Sequence, residues 1–270
     1  VHGSRGLGDV YKRQIFAVQN LQTMIAITLP DGSVKQLEEG VTPMDVALSI
    51  SEGLARNVIS AAYNGQTIES STPLTHDGSL VLYTWRDEAG KKAFWHSSAH
   101  ILAQALQDLY PGIKLTIGPA IETGFYYDVD FGEYNISEKD LEAIEEKMLE
   151  IARGKHTFSL RSTTKKEALD FYKKQANEYK VELIENLEDG TITFCDHDTF
   201  TDLCRGGHLP HTGFVKAVKL MSIAGAYWRG DEKNKQLTRI YGVSYPKQKE
   251  LKQYLVLLEQ AKKRDHRKLG

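Results

Sequence analysis

Apolar residues recur along this chain in two different periods, and the changes of period mark out its elements. From 24 to 84 the pattern is that of short strands. Runs at 25–29 and 34–37 flank the turn Pro30-Asp31-Gly32-Ser33, which predicts a strand pair. Thr42-Pro43-Met44-Asp45 then opens a helix: Thr42 caps it, Pro43 suits its first position, and Asp45 stands three residues after the cap. Strands at 59–63 and 66–68 are joined by Asn64-Gly65, a strong hairpin signal, and 79–84 is a last apolar strand. Residues 86–92 are charged and polar and read as a boundary.

Beyond that boundary the period becomes helical. Trp95, Ala99, Leu102, Leu106 and Leu109 form the stripe of a helix over about 93–109, stopped by Pro111-Gly112. Strands are predicted at 113–117 and 125–131. A capping pattern from Ser137 leads into the stripe Leu141, Ile144, Met148 and Ile151, with Gly154 as its stop. A second capping pattern, Thr164 to Glu167, precedes Leu169 and Tyr172. Strands follow at 181–184 and 191–194, and 201–231, rich in glycine and aromatics, reads as partly loop. After Pro246 a last helix carries Leu251, Leu255 and Leu258 and ends in the basic run 262–268. The fold class is α+β. The order β-β-α-β-β with a closing strand gives the first unit a ubiquitin-like, β-grasp form, followed by a larger α+β unit.

Composition narrows the function. Lys plus Arg is 34 and Asp plus Glu is 36, so the net charge is -2. That excludes gripping nucleic acid by bulk charge and leaves only a local patch. No apolar run approaches the roughly 18 residues of a membrane span. The two cysteines, Cys195 and Cys204, make no disulfide framework and point to a reducing, cytoplasmic compartment. Residues 1–23 show no period; they read as a non-native leader, with Met24 as the true start.

Candidate chemistry lies in two short motifs. In His96-Ser97-Ser98-Ala99-His100 a spacing of four puts both imidazoles on one helix face, about 40° apart. They are expected to line a cleft beside the core. Far along the chain, Asp202-Leu203-Cys204-Arg205-Gly206-Gly207-His208 adds a thiol and a third imidazole, with two glycines freeing the backbone. Three histidines and a cysteine make a complete tetrahedral zinc set. They are equally an acid, base and nucleophile set for ester hydrolysis. Cys195 and His197 are expected to be a strand thiol and a surface histidine. Tyr126 and Tyr127 should face opposite ways on their strand.

These motifs, with Thr116-Ile117-Gly118-Pro119, Gly124-Phe125-Tyr126-Tyr127-Asp128 and Gly225-Ala226-Tyr227-Trp228-Arg229-Gly230-Asp231, resemble in order and spacing the N-terminal half of the bacterial threonyl-tRNA synthetase family. The resemblance covers 24–270. It implies a TGS domain of β-grasp fold over 24–85 and a tRNA editing domain over 86–245. Within the latter, about 190–240 is the segment shared with alanyl-tRNA synthetases. Residues 246–270 would lead towards a catalytic domain. The implied activity is proofreading: hydrolysis of serine from the 3′-terminal ribose of Ser-tRNA(Thr).

Residue by residue, the resemblance implies catalytic roles for His96, His100, Lys180, Asp202, Cys204 and His208. It implies substrate contacts from Tyr127, Gly118, Pro119, Gly206 and Gly207. Editing in this family is expected to need no cofactor, with zinc on His96, His100, Cys204 and His208 as the alternative. ATP, Mg and a further zinc belong to the aminoacylation domain, and threonyl-adenylate formation is not expected here. Lys216, Lys219, Arg229, Lys233, Lys235 and Arg239 are expected to form a local basic face for the tRNA acceptor end. Neither DNA nor a membrane is an expected partner. The parent enzyme is expected to be a homodimer and this portion a monomer. The competing readings are a non-catalytic binding module for tRNA or a partner, and a structural zinc domain.

Overall fold

A computed structural model describes residues 23–268, with side chains to 264. The proposed leader lies outside the described residues but for Thr23, and so do the side chains at the end of the basic run.

The first unit is a five-stranded sheet of β1 (Met24–Thr28), β2 (Val34–Glu38), β3 (Ser60–Tyr63), β4 (Gln66–Ile68) and β5 (Gly78–Tyr83). Their order is β2-β1-β5-β3-β4. β1 and β5 run parallel and the other neighbours antiparallel, as in a β-grasp. Helix α1 (Pro43–Ile50) starts on the predicted capping box, with Thr42 and Asp45 exchanging hydrogen bonds. Together with the short α2 (Glu52–Ala55) it covers the sheet. Ile25, Ile27, Val46, Leu74 and Leu80 close the core between them.

No flexible linker separates this unit from the next. Helix α3 (Glu88–Leu109) begins inside the stretch predicted as a boundary. Charged residues on its exposed first turns carry the helix that far. Asp87 turns back to accept from the Thr84 backbone N–H at 2.7 Å and its hydroxyl at 3.0 Å. Gly90 packs so tightly that a Cβ there would lie 1.9 Å from the Thr84 carbonyl oxygen. Ile59 joins the same core as Phe94 and Leu102 of α3. The two units are therefore packed together.

In the second unit, β6 (Lys114–Leu115), β7 (Phe125–Asp130), β11 (Ala217–Tyr227) and β12 (Gln236–Tyr245) form an antiparallel sheet in the order β11-β12-β7-β6. Helices α3 and α4 (Leu141–Arg153) pack on it. The partly loop reading of 201–231 holds for 204–211, and the long β11–β12 hairpin begins at Ala217. Its glycines serve close packing: a Cβ on Gly242 would lie 2.8 Å from Phe125. A three-stranded sheet, β10-β9-β8, joins β8 (Ser159–Ser162), β9 (Thr193–His197) and β10 (Phe200–Leu203). It is covered by α5 (Lys165–Lys174) and α6 (Glu178–Glu185). Helix α6 replaces the strand predicted at 181–184. The Asn177 side chain caps it by accepting from the Lys180 N–H at 3.1 Å, and a short apolar run alone does not separate the two states. Helix α7 (Gln248–Lys268) leaves β12 and packs back through Leu251, Tyr254 and Leu255. Among the described residues no helix is long and apolar enough to cross a membrane.

Candidate active site

The two chemical motifs meet although about a hundred residues separate them. His96 and His100 leave the same face of α3, with ring centroids 4.8 Å apart. The intervening serines point inward and fasten the helix. Ser98 shares a hydrogen bond with Ser244 of β12 at 2.7 Å, and Ser97 accepts from the Leu209 N–H at 2.9 Å. That second bond ties the C-terminal motif directly to the helix. Cys204 follows β10 immediately, its N–H donating to Thr193 at 3.1 Å. Gly206 and Gly207 then take φ of +97° and +86°, backbone that side-chain-bearing residues rarely adopt. The chain doubles back and lays His208 against the thiol.

The Cys204 Sγ sits 3.0 Å from His96 Nε2 and 3.1 Å from His208 Nε2. One ligand atom from each of His96, His100, Cys204 and His208 falls within 4.8 Å of all the others. The four residues are a His/Cys cluster of the type that holds a metal. Its electrostatics favour a charged sulfur. Burial alone would push the Cys204 thiol up, but His100 and His96 beside it pull it well below its ordinary range. Burial presses His96 down towards the neutral ring, opposed in part by Cys204. His100 is raised: burial works against its charge, but Cys204 and Asp202 outweigh it. Its Nδ1 lies 3.4 Å from Asp202 Oδ2, yet neither ring nitrogen has an aligned hydrogen-bond partner. That contact is electrostatic rather than a hydrogen bond.

Beside the cluster lies a buried ion pair. The Lys180 ammonium bonds Asp202 Oδ1, with both side chains 4% exposed or less. Besides Lys180, Asp202 draws three donors from within the chain. It accepts from Tyr127 at 2.7 Å, Tyr172 at 3.2 Å and the Leu203 N–H at 2.8 Å. Burial would raise its carboxyl, but Lys180 and His100 hold it far below the usual carboxylate range. Oδ1 is filled by Lys180, Tyr172 and the Leu203 N–H, while Oδ2 takes only Tyr127; Asp202 is thus a buttress for Lys180.

A cavity of about 760 Å³ opens onto this group. Its wall includes His96, His100, Lys180, Asp202, Cys204, Gly118, Pro119, Gly206 and Gly207. Two of the residues expected to act there stand behind the wall. His208 is fully buried and reaches the cavity only through Cys204. Tyr127 is 1% exposed and supports Asp202 from beneath. Gly118 covers it so closely that a Cβ would lie 2.1 Å from the tyrosine ring. Tyr126 does face the other way, but the Arg239 guanidinium lies 3.9 Å from its ring centroid. Cys195 is a buried strand thiol, pushed up to about 11 by burial. His197 is a correction: it is 2% exposed, not on the surface, because β9 turns Cys195 and His197 both inward.

The expected basic face is largely neutralised. Lys219 pairs with Glu145 at 3.0 Å, Arg229 with Glu182 at 2.8 Å and Lys235 with Asp130 at 2.6 Å. Arg239 grips Asp128 with two bonds of 2.7 and 2.8 Å. Lys216 and Lys233 are exposed and make no ion pair among the described residues, but neither lines the cavity. Two cations that sequence reasoning passed over do line it: Lys92 of α3 and Arg205 beside Cys204. Both are exposed, and neither is ion-paired among the described residues. Arg205 stood inside the quoted motif; Lys92 is one helical turn before His96.

Comparison with known families defines the class. Residues 25–84 match the TGS domain family. Residues 192–241 match the family described as the threonyl and alanyl tRNA synthetase second additional domain. The chain therefore carries a TGS domain followed by an editing domain, in an α+β structure. It is 72% identical over 247 residues to the threonine–tRNA ligase of Flavobacterium psychrophilum, and 70% and 61% identical to those of Flavobacterium johnsoniae and Cytophaga hutchinsonii. Each match covers 92% of this chain and 38% of the relative, so the chain spans little more than a third of the length of these relatives. It corresponds to the N-terminal region of threonine–tRNA ligases.

Proposed function

We propose that this chain is a proofreading hydrolase that removes serine from Ser-tRNA(Thr) in the cytoplasm. The observation that carries the reading is the cavity wall, where a thiol–imidazole cluster and a buried lysine face one space. Such a site serves an ester better than it serves mere binding. Threonine and serine differ by one methyl, worth about 1–3 kcal/mol in a pocket, so a first site alone discriminates poorly. A second site that admits only the smaller product corrects this by size.

In the proposed reaction the oxygen of a water attacks the seryl carbonyl carbon. The C–O bond to the ribose 3′-oxygen then breaks, and that oxygen takes up the proton removed from the water, giving free serine and the 3′-hydroxyl. His96 lines the cavity and its ring is pressed towards neutrality, so it is the group to accept the water proton. Lys180, anchored by Asp202, places a fixed positive charge for the developing oxyanion. Gly118, Pro119, Gly206 and Gly207 shape the wall against the extra methyl of threonine. Lys92 and Arg205 at the rim are placed to meet phosphates of the acceptor end.

The donor set would suit zinc, which would polarise the carbonyl or a bound water. Hydrolysis without a metal is the form proposed here, as the resemblance implies, and the chelator arm of the test decides it. Aminoacylation, with its ATP, Mg and dimeric assembly, belongs to the remaining length of the relatives.

The test is release of serine from Ser-tRNA(Thr) by the 270-residue chain, with Thr-tRNA(Thr) as control and a chelator in parallel. Selective release of serine that survives the chelator supports the reading. Loss of activity with the chelator overturns its metal-free form. Retention of tRNA without turnover would make the chain a binding module.

A further inference from the structure

The cluster is not completed by the editing domain alone. Glu69 follows β4 of the β-grasp unit and is 7% exposed. Its carboxylate receives three N–H groups from the doubled-back segment. Oε1 accepts from Gly207 N–H at 3.0 Å and lies 2.9 Å from His208 Nδ1; Oε2 accepts from His208 N–H at 3.1 Å. No lysine or arginine pairs with it among the described residues. Its one ion-pair partner among them is His208 itself; a buried carboxylate is expensive unless paired, and this one meets only the segment that carries the site. Thr67 of β4 also lines the cavity, and a Cβ on Gly207 would lie 3.3 Å from its methyl.

The geometry has a chemical consequence. A ring nitrogen facing a carboxylate oxygen at hydrogen-bond distance is held as N–H. With Nδ1 committed to Glu69, His208 turns Nε2 towards Cys204. His208 also stacks on Phe158, with ring planes 9° apart, so the ring has little freedom to swing. We propose that Glu69 of the β-grasp domain is a positioning residue of the hydrolytic site, fixing His208 with Nδ1–H donated across the domain boundary and Nε2 aimed at the Cys204 sulfur. The β-grasp domain is then a working part of the site. This rests on the proposed hydrolysis for its kinetic consequence, though not for its geometry.

The test has two independent arms on the full chain. In the first, long-range ¹H–¹⁵N spectra of histidine-labelled protein report the ring nitrogens, with His208 assigned by its absence in His208→Asn. A protonated Nδ1 is expected, and a bare Nδ1 overturns the proposal whether or not the chain hydrolyses anything. In the second arm, serine release is followed for Glu69→Gln and Glu69→Ala. Glutamine offers one acceptor oxygen for three donors, so both variants should lose about 10–100-fold in kcat with KM little changed, the usual cost of removing an orienting partner. Ile59→Ala, which loosens the packing between the domains without removing any of the three Glu69 hydrogen bonds, should leave kcat near that of the wild type. Wild-type kcat in both Glu69 variants, or an equal loss in Ile59→Ala, would reduce Glu69 to a docking contact. If wild-type protein releases no serine, the hydrolase reading fails, and the ring spectrum alone decides the role of Glu69.

Discussion

Replacing His197 with leucine should make the protein less sensitive to acid, by an amount the structure sets. The ring is 2% exposed and lies between Phe158 and Phe200, with centroids 4.7 and 5.2 Å away. Neither ring nitrogen has a hydrogen-bond partner. Burial first, and then the neighbouring His100, His208 and His156, pushes it down to about 3. Its unfolded value is about 6.5. The folded state therefore holds a neutral ring over a range in which the unfolded chain takes up a proton. Stability from this residue is complete above pH 6.5 and falls as pH drops towards 3. Each pH unit in that range costs about 1.4 kcal/mol, so going from pH 8 to pH 5 costs about 2 kcal/mol from this ring alone. Urea unfolding followed by tryptophan fluorescence at both pH values measures it. His197→Leu should lose about 2 kcal/mol less than the wild type over that interval. At pH 8 it should hold its stability, since two unpaired buried nitrogens disappear. Equal pH dependence in the two proteins would refute a buried neutral His197.

Asp202→Asn leaves Lys180 buried without its counter-charge; unfolding measurements should show a loss of about 3–5 kcal/mol, with serine release abolished. Stability owed to Asp202 should be complete above its unfolded value of about 4 and disappear as pH falls below it, because its native carboxyl is held lower. Charge reversal at Lys92 and Arg205 together should weaken tRNA retention on a filter and flatten its salt dependence, whereas reversal at the ion-paired Lys235 and Arg239 should act mainly on stability. Gly90→Ala forces a Cβ against the Thr84 carbonyl; overpacking of this kind costs about 1–3 kcal/mol, read as a lowered melting temperature.

The β-grasp unit was legible in outline because its signals are local. A capping box at Thr42, the Asn64-Gly65 turn and alternating strands each depend on neighbours in the chain. The four cluster residues were legible as two motifs with fixed spacing. What escaped was decided by contacts that periodicity does not weigh. The 181–184 run is apolar enough for a strand, and the Asn177 cap made it helix α6. Where the loop in 201–231 gives way to β11 was not legible, because Gly225 there answers to Gln236 on the neighbouring strand, not to a local turn.

Electrostatic roles divide the same way. Chain order shows six cations between 216 and 239 but not the carboxylates of Glu145, Glu182, Asp128 and Asp130 that neutralise four of them. Nor does it show that Lys92 and Arg205 face the cavity instead. Sequence by itself determined the α+β class, the two-domain order and the residue types available for chemistry, because periodicity and motif spacing are properties of the chain. Only the tertiary structure decided that His208 and Tyr127 stand behind the wall, that Asp202 is tied to Lys180 and two tyrosines, and that Glu69 crosses from the other domain to hold His208. Burial and hydrogen-bond partnership are set by which surfaces meet, and that is fixed only when the two domains pack.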